Sequence, residues 1–417
     1  MIAAQRALVQ SLLDGVARIG ADPPGITREA YGQGENAAMA LVAEAAEGLG
    51  LACSTDAGAN LTMRWAGSDP EAPPILIGSH LDSVVQGGKF DGAAGVIAGI
   101  AAIAALQASG FRPRASIEVM ALRCEEAVWF GLGLIGSRSL LARLPPGALE
   151  LKHARSGLTL GQSIAGCGGD PARLAEGLPL RDPQQLGAYL EVHIEQAPQL
   201  IEAGQPVAIC LANPGNIRHP RIRITGEDAH TGLPHRFRRD AGLAGADFAL
   251  ALERLWLEED RAGRPMAATI GRFHTLADRH AMTVVPGHFE LSLDLRAYHQ
   301  AHLVALEARL GAIATEVAHA RDVAIDLGER SAAAPGAMDA AIVAGLAAAA
   351  GRLGLAAPRL NSPGSHDANN FAAAGVPTGM LLVRNANGSH NPREAMETDD
   401  LIAAIGVLAL FLGERAA

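Results

Sequence analysis

The strongest constraint on the fold is a strand–helix–strand pattern in residues 74–124. A short apolar run, PILIG (74–78), is followed by a glycine-rich loop and then by the apolar stretch GAAGVIAGIAAIAALQASG (92–110). A second apolar run, ASIEVMALRC (115–124), comes next. Short apolar runs separated by a helix-length apolar segment are typical of parallel strands joined by a crossover helix. The pattern therefore predicts an α/β domain with a mixed, largely parallel sheet and helices on both faces.

A second pattern begins near residue 212 and ends near residue 330. Residues 219–230 (HPRIRITGEDAH) alternate apolar and polar side chains, which predicts a strand with one face in water. The elements predicted next are a helix around 239–256, strands at 265–276 and 287–299, and a helix at 303–318. Residues 338–354, 378–385 and the last helix return to the first pattern. We therefore predict one α/β domain, residues 1–211 and 331–417, interrupted by a smaller α+β domain at 212–330.

Composition narrows the class of protein. The 417 residues exceed what one ordinary core holds, so two domains are expected. The formal net charge of −10 argues against a nucleic-acid or anionic-membrane surface and is compatible with a site that binds cations. The four cysteines lie far apart and form no CxxC pair, which argues against a disulfide framework or a zinc ribbon. This cysteine usage fits a reducing compartment.

Neither end of the chain carries a signal for secretion or membrane insertion. The segment MIAAQRALVQSLLDGVARIG has the spacing of an amphipathic helix and lacks the apolar core of a signal peptide. The longest apolar run, LIAAIGVLALFLG (401–413), is too short to span a bilayer. We expect a cytoplasmic protein that binds neither nucleic acid nor membranes.

The loop after the first predicted strand concentrates polar side chains. In GSHLDSVVQGGKFDG (78–92), His80 follows the strand directly, Asp82 comes two residues later, and Asp91 precedes the buried helix. The carboxyl ends of parallel strands are where α/β proteins place their sites. Asp82 can orient the His80 ring through its second nitrogen, and Asp91 can bridge two cations. The alternative is a polar loop whose aspartate caps the helix.

Two adjacent acids follow the second predicted strand. Glu125 and Glu126, in RCEEAVWF, point to opposite sides if the backbone stays extended. One carboxylate can then bind a metal ion while the other takes a proton from an attacking water. An ordinary solvated pair of glutamates is the alternative.

Further histidines lie beside glycines or near the ends of predicted strands. They are His193 (YLEVHIEQAP) with Gln196 nearby, His366 (GSHDANN), and His390 (NGSHNPREA). The candidate metal ligands are therefore His80, Asp91, Glu126, His193 and His390, with Glu125 left over. Such a set suits two metal ions, one with two histidines and one with a histidine and a glutamate, with the aspartate shared. Nitrogen and oxygen ligands favour Zn2+, Mn2+, Co2+ or Ni2+ over Cu+ or iron–sulfur clusters.

In their order along the chain, these motifs resemble those of the zinc-dependent M20 amidohydrolases. The HIEQ motif points to the hydantoinase/carbamoylase branch, which contains N-carbamoyl-L-amino acid hydrolases, β-ureidopropionases and allantoate amidohydrolases. The resemblance runs through almost the whole chain: GSHLDSVVQGGKFDGAAGV (78–96), EE…FG…GSR (125–138), HIEQAP (193–198), GEDAHTGLPHRFRRDA (226–241), VPGHFELSLDLR (285–296), SPGSHDA (362–368) and GSHNPREAM (388–396).

The resemblance implies a catalytic centre with two divalent ions per subunit. The five candidate ligands match the metal ligands of the family, and Asp91 matches the ligand that bridges the ions. Zn2+ is the expected ion, with Mn2+, Co2+ or Ni2+ as alternatives. Glu125 matches the general base, and Asp82 matches the residue that orients His80.

The resemblance also implies substrate-side residues and a partner subunit. Gln196 and His366 match residues that face the substrate. Arg296 matches an arginine that grips the substrate carboxylate, and its parallel donors suit that group, although a surface ion pair is the alternative. The inserted domain matches a lid and dimerisation domain, which implies a homodimer. Its His230 matches a histidine that stabilises the oxyanion and reaches the partner subunit's site.

Three features depart from the family pattern. The loop after Gly232 is shorter, and Thr283 stands where the family has an asparagine that helps to hold the substrate carboxylate. Arg384 and Asn385 replace a Pro-Ser pair before the last metal histidine. The shorter loop lies next to His230, and the missing asparagine bears on N-carbamoyl-β-alanine as a substrate.

From the resemblance we expect a metal-dependent amidohydrolase that cleaves the carbamoyl C–N bond of an N-carbamoyl amino acid or a related ureido acid. Its products are the amino acid, ammonia and CO2. One alternative is an N-acyl-amino-acid amidase, a dipeptidase or an aminopeptidase of the same family, which releases no ammonia. The other is a binding protein without activity. A missing ligand or base is the expected sign of such a protein, and this sequence has the full set.

Overall fold

The computed structural model describes residues 2–417. The α-helices are α1 (Ile2–Arg18), α2 (Gln33–Gly48), α3 (Ala93–Ala108), α4 (Ile135–Leu140), α5 (Leu160–Gly166), α6 (Pro171–Ala175), α7 (Gln199–Ala203), α8 (Ala241–Arg261), α9 (Gln300–Arg321), α10 (Ala340–Arg352), α11 (Ala368–Ala373) and α12 (Thr398–Arg415). The strands are β1 (Ala21–Asp22), β2 (Gly25–Ile26), β3 (Ala52–Thr55), β4 (Leu61–Trp65), β5 (Ile75–His80), β6 (Ile117–Leu122), β7 (Ala188–Ile194), β8 (Val207–Cys210), β9 (Ala212–Asn213), β10 (Gly215–Thr225), β11 (Ala229–His230), β12 (Met266–Thr275), β13 (Val284–Val285), β14 (His288–Ala297), β15 (Ala324–Asp326), β16 (Ser331–Ala333), β17 (Gly336–Ala337), β18 (Arg359–Leu360) and β19 (Thr378–Val383). Short 3₁₀ helices lie at Ala148–Glu150, Pro183–Gln185 and His235–Phe237.

The large sheet has the strand order β18-β8-β19-β7-β5-β6-β4-β3. Its four neighbouring strands β19, β7, β5 and β6 run parallel to one another. The pairs β19–β8, β4–β6 and β3–β4 are antiparallel. The predicted mixed, largely parallel sheet flanked by helices is therefore confirmed. Because the four parallel strands are neighbours, their carboxyl ends lie side by side at one edge of the sheet.

The helix that follows β5 is the buried helix predicted from the sequence. Almost all of the side chains of α3 are buried, and it packs against β5, β6 and β7. Gly95 permits this close packing, because a Cβ at that position would lie only 2.1 Å from the carbonyl oxygen of Val192. Gly110 has a φ of +79° and turns the chain just after the helix, as glycine does readily.

The chain divides into two compact units. One runs up to Asn213 and resumes at Gly336, and the other is Pro214–Pro335. The sequence placed these limits at 211/212 and 330/331. The positions differ because β9 pairs with β17 inside the first unit, whereas β16 pairs with β10 inside the second.

The second unit is an antiparallel sheet packed against two long helices. Its strand order is β12-β14-β10-β15, and β16 also pairs with β10. Along β14 the side chains alternate between buried and half-buried, so one face packs on α8 and α9. In β10 this alternation is interrupted by a change of register between His219 and Ile222.

The longest apolar run of the sequence lies in α12. This helix begins with Asp399 and Asp400 in its first turn and packs against α3 and α10. Across residues 2–417, we find no helix with the length and apolar character that crossing a membrane requires.

Candidate active site

The candidate metal ligands meet at the carboxyl ends of the four parallel strands. His80 is the last residue of β5, and His193 is the last but one of β7. Glu126 follows β6, and His390 lies in the loop that follows β19. Asp91 is supplied by the connection between β5 and α3. The strand order of the sheet thus brings together side chains that are far apart in the sequence.

Asp91, His80 and His193 form the first ligand cluster. Asp91 Oδ1 lies 3.4 Å from His80 Nε2 and 3.1 Å from His193 Nε2. All three side chains are buried. His193 Nδ1 lies 3.0 Å from the carbonyl oxygen of Ile194, a contact that orients the ring with Nε2 toward Asp91. The three ligand atoms lie within 4.8 Å of one another, so one cation can bind between them.

Asp91, Glu126 and His390 form the second ligand cluster. His390 Nε2 lies 3.7 Å from Asp91 Oδ2 and 3.3 Å from Glu126 Oε1. Asp91 therefore presents one carboxylate oxygen to each cluster, which is the arrangement of a bridging ligand. The His390 side chain is 50% exposed and its backbone has a φ of +59°. Such a left-handed conformation costs a non-glycine residue about 1–3 kcal/mol and is typical of functional sites.

The donor atoms of this site fit a pair of divalent metal ions. His80 Nε2 is buried and has no hydrogen-bond partner among residues 2–417, so it is available as a ligand. The ligand set contains only nitrogen and oxygen atoms, which suits Zn2+, Mn2+, Co2+ and Ni2+. The buried carboxylates of Asp82, Asp91 and Glu126 lie together here, and buried negative charge requires a compensating cation.

The charges of the site are strongly coupled. Burial acts to lower the pKa of His80, but the nearby carboxylates of Asp82 and Asp91 raise that pKa well above the usual value. The hydrogen bond with Glu126 raises the pKa of His390 to about 9. Burial acts to raise the pKa of Asp91, but the adjacent His193 imidazole holds it well below the usual range. The carboxylates thus attract protons to the histidine nitrogens, and a cation that binds there competes with those protons.

Asp82 connects the end of β5 to the chain that follows β6. Its Oδ1 lies 3.3 Å from His80 Nδ1. The same buried carboxylate accepts hydrogen bonds from the backbone N–H groups of Glu125, at 3.0 Å, and Glu126, at 3.2 Å. No sequence pattern indicates these two contacts. Asp82 therefore orients one metal-ligand candidate and also holds the backbone of the two acids.

The two acids do not continue the strand. β6 ends at Leu122, and Cys124 adopts a left-handed conformation with a φ of +51°. The extended backbone assumed for Glu125 and Glu126 therefore does not continue from β6, because the chain turns at Cys124. The turn is held by Glu35, whose Oε1 accepts a 3.3 Å hydrogen bond from the Cys124 backbone N–H. Because the chain turns here, both glutamates reach the ligand clusters.

Glu125 lies beside the first cluster without belonging to it. Its Oε2 is 4.0 Å from His80 Nε2. Burial raises the pKa of Glu125 well above its usual range. A carboxylate with a raised pKa, next to the place where an ion can bind, is suited to accept a proton during a reaction.

Gln196 and His366, the predicted substrate-side residues, both lie at this site. Gln196 Nε2 donates a 3.2 Å hydrogen bond to Asp91 Oδ2. The ring of His366 lies 4.2 Å from that of His193, centroid to centroid. Its Nε2 is 2.7 Å from Ser362 Oγ, and burial lowers the pKa of His366 well below the usual value. Burial therefore favours the neutral form of this imidazole, which lies beside a metal-ligand candidate.

The loop before α3 approaches the ligands very closely. Gly92 has a φ of +67°, and a Cβ on it would lie 2.5 Å from atoms of the His80 ring. The N-cap residue of α3 is Gly92, and this helix start has no side-chain cap, so the alternative of an aspartate N-cap is wrong. The loop thus needs glycine so that an acid and an imidazole can lie next to each other.

His230 and Arg296 belong to the second unit. His230 is exposed at the end of β11, and its Nδ1 accepts a 3.1 Å hydrogen bond from the Gly232 N–H. Arg296 donates from Nε and Nη2 to the two carboxylate oxygens of Asp294, both at 3.1 Å. Arg218 donates to the same carboxylate at 2.9 Å. Arg296 therefore makes an ion pair inside this unit, and two guanidinium groups share one carboxylate.

Sequence reasoning did not single out three buried residues that hold the loops of the site. These residues are Glu35, Asn385 and Glu394. Asn385 was noted only as a departure from the family pattern. Glu35 accepts a hydrogen bond from the backbone N–H of Cys124, just before the two acids. Asn385 and Glu394 lie in the loop that carries His390. Glu394 lies inside the motif GSHNPREAM, but nothing in that motif indicates what it contacts.

Comparison with known proteins identifies the family. The family model described as peptidase family M20/M25/M40 matches residues 76–414. The chain is 34% identical to an N-carbamoyl-L-amino acid amidohydrolase from Geobacillus stearothermophilus over 99% of this chain and 98% of that protein. It is 29% identical to an allantoate amidohydrolase from Escherichia coli (strain K12) over 100% and 99%. The crystal structure of a hydantoinase/carbamoylase family amidase from Burkholderia ambifaria matches with a TM-score of 0.85 and 31% identity, over 99% of this chain and 98% of that one. The chain belongs to peptidase family M20/M25/M40, within its hydantoinase/carbamoylase branch.

Proposed function

We propose that this protein is a metal-dependent amidohydrolase that cleaves the carbamoyl C–N bond of an N-carbamoyl amino acid or a related ureido acid. The observation that carries the proposal is the pair of ligand clusters that share Asp91, with Glu125 beside them. The full-length relatives named for N-carbamoyl-L-amino acids and for allantoate support the same substrate class.

The proposed cofactor is two divalent metal ions per subunit. His80, His193 and Asp91 would hold one ion, and Glu126, His390 and Asp91 would hold the other. We propose Zn2+, with Mn2+, Co2+ or Ni2+ as ions that the same donors accept. When bound, such ions supply Lewis acidity, which polarises a carbonyl group and makes water a stronger acid.

In this proposal Glu125 moves the proton of the reaction. It accepts a proton from the attacking water as the water oxygen bonds to the carbamoyl carbon. It then donates that proton to the leaving nitrogen as the C–N bond breaks. The carbamate formed breaks down, so the products are the amino acid, ammonia and CO2. Asp82 keeps the base in place because it binds the Glu125 backbone N–H and the His80 ring.

The substrate-side roles are proposed for four residues. Gln196 and His366 would face the substrate from the first unit, and His230 would stabilise the oxyanion. Arg296 would bind the substrate carboxylate. This role is proposed from the family resemblance, because in the structure Arg296 makes the ion pair with Asp294 that was the alternative.

Release of ammonia is the measurement that tests this function. The protein would be stripped of metal, reloaded with Zn2+, Mn2+, Co2+ or Ni2+, and given N-carbamoyl-L-amino acids, N-carbamoyl-β-alanine and allantoate. We expect metal-dependent ammonia release from at least one of these compounds, because only carbamoyl or ureido hydrolysis frees ammonia. The stripped protein is the control, and it should release none.

The same assay separates the proposal from its alternatives. If two ions bind but no compound yields ammonia, the substrate class is wrong, and N-acyl amino acids and dipeptides become the candidates. Thr283 and the loop after Gly232 would then be examined first, since Thr283 lacks the amide of the family asparagine. Its carbonyl oxygen accepts a 2.9 Å hydrogen bond from the Thr231 N–H.

We infer a cytoplasmic location from the cysteines. All four are unpaired, and Cys124 and Cys210 are buried. Unpaired thiols fit a reducing compartment.

We infer that the second unit also carries a homodimer interface. β12 is an edge strand of its sheet, and α8 packs beside it. Leu243, Leu250 and Leu257 lie at seven-residue spacing on α8 and are 42%, 51% and 47% exposed. Residues at this spacing share one helix face. A second copy can pair with the edge strand and cover this row in a two-fold arrangement.

Replacing Leu250 with glutamate is expected to convert the dimer into a monomer, because the charge would be buried in the middle of the leucine row. Light scattering after size-exclusion chromatography would give the mass. Leu158→Glu is the matched control, since Leu158 is 48% exposed in the first unit and should leave the dimer intact. A monomeric wild type, or a Leu250→Glu protein with dimer mass, would contradict the interface.

A further inference from the structure

Glu394 joins two loops of the site that are far apart in the sequence. Its Oε1 accepts hydrogen bonds from the backbone N–H groups of Phe90, at 2.7 Å, and Asp91, at 3.1 Å. Glu394 is only 4% exposed. The backbone next to the shared ligand Asp91 is therefore held by a side chain from the loop that carries His390.

The space around Glu394 shows that this contact is tight. A Cβ on Gly88 would lie 2.2 Å from the carboxyl carbon of Glu394 and 2.3 Å from its Oε1. The second oxygen, Oε2, is buried and has no hydrogen-bond partner among residues 2–417. Burying an oxygen without a hydrogen-bond partner costs free energy. The two hydrogen bonds that Oε1 accepts offset part of this cost.

The loop that carries Glu394 and His390 is closed by Asn385. Asn385 Nδ2 donates to the carbonyl oxygens of Glu195, at 3.3 Å, and Gly388, at 2.9 Å. Asn385 Oδ1 accepts from the Ala395 N–H at 3.1 Å. The loop is thus tied across its base and to the end of β7. Glu394 and His390 therefore belong to the same short segment, which these hydrogen bonds of Asn385 close.

We propose that Glu394 is the positioning residue of the second cation site, because it fixes the Asp91 loop and the His390 loop relative to each other. This inference rests on the two-ion centre proposed above. The first cluster depends less on Glu394, since His80 and His193 lie on strands of the sheet. The second cluster takes Asp91 and His390 from two loops, and Glu394 is the side chain that bonds one loop to the other.

Two substitutions separate positioning by hydrogen bonds from charge. Glu394→Met fills nearly the same volume but has no acceptor for the Phe90 and Asp91 N–H groups. Glu394→Gln keeps an oxygen acceptor and removes the negative charge. Arg393→Ala, at the exposed neighbouring position, is the matched control. Each protein would be titrated with Zn2+ against a chromogenic chelator, which gives the number of ions and the affinity of each site without any assay of activity.

We expect the wild type, Glu394→Gln and Arg393→Ala to bind two ions with similar affinities. We expect Glu394→Met to keep the tighter ion and to lose about 10–100-fold in affinity for the weaker one, the usual effect of removing a partner that orients a ligand. The retained tight site reports that the variant is folded. In activity assays, Glu394→Gln should restore most of the kcat that Glu394→Met loses.

Three results would overturn the inference. Unchanged affinity of both ions in Glu394→Met would show that the contact does not position the second site. Equal losses in Glu394→Met and Glu394→Gln would assign the effect to charge, and loss of both ions in Glu394→Met would assign it to the whole centre. A wild type that binds fewer than two ions would overturn the two-ion centre itself, which distinguishes a failure of the proposed function from a failure of this inference.

Discussion

Replacing Glu125 with glutamine is expected to leave two metal ions bound and to lower kcat by about 10²–10⁴-fold, the usual contribution of general acid–base catalysis. Glutamine keeps the size of the side chain but cannot accept the proton of the attacking water. Glu125 belongs to neither ligand cluster, so the ions should remain. Steady-state ammonia release and metal content by elemental analysis would be measured on the same preparation.

The control for this variant is Glu150→Gln at an exposed position. It should match the wild type in both measurements. Retained turnover in Glu125→Gln would exclude Glu125 as the base. Loss of metal together with turnover would instead make Glu125 a ligand, which would contradict the division of roles between Glu125 and Glu126.

Asp91→Asn is expected to disrupt both ion sites at once. Asp91 presents Oδ1 to the first cluster and Oδ2 to the second, and an amide has only one oxygen. Removing a residue that orients a metal ligand typically lowers metal affinity or activity by about 10–100-fold. Loss of the shared ligand itself should therefore lower both the metal affinity and the activity by at least about 100-fold. Metal binding and ammonia release would be measured over a range of Zn2+ concentrations.

Asp278→Asn, at an exposed position in the second unit, is the matched control for this substitution. It should bind both ions as the wild type does. If Asp91→Asn also bound two ions with unchanged affinity, Asp91 would not be the shared ligand. If it lost only one ion, the carboxylate would serve a single cluster.

The residue types of the site and their place at strand ends could be predicted from the sequence. The apolar runs that form β5, α3 and β6 are local patterns: His80 ends β5, Asp91 precedes α3, and Glu126 follows β6. Parallel strands place such endings at one edge of a sheet, so convergence of these side chains could be expected before the structure was known. The resemblance to a known family added the roles, which the variants described above are designed to test.

Local conformation at the site could not be predicted in the same way. Nothing in RCEEAVWF indicates that Cys124 is left-handed, so an extended backbone was expected where the chain turns. The turn depends on Glu35, which lies 89 residues away from Cys124 in the sequence. The limits of the second unit also differ from the predicted ones, because β16, near the end of this unit, pairs with β10 at its beginning.

The sequence by itself determined the fold class, the presence of an inserted unit and the chemical nature of the candidate ligands, because hydrophobic periodicity and side-chain chemistry are properties of short segments. Only the tertiary structure decided how the ligands are held: Asp82 binds the backbone of both acids, and Glu394 binds the backbone of Asp91, 303 residues away. Such contacts arise from the strand order of the sheet and the closure of its loops. They are formed between segments that have no local signal for each other, so they appear only when the chain is folded.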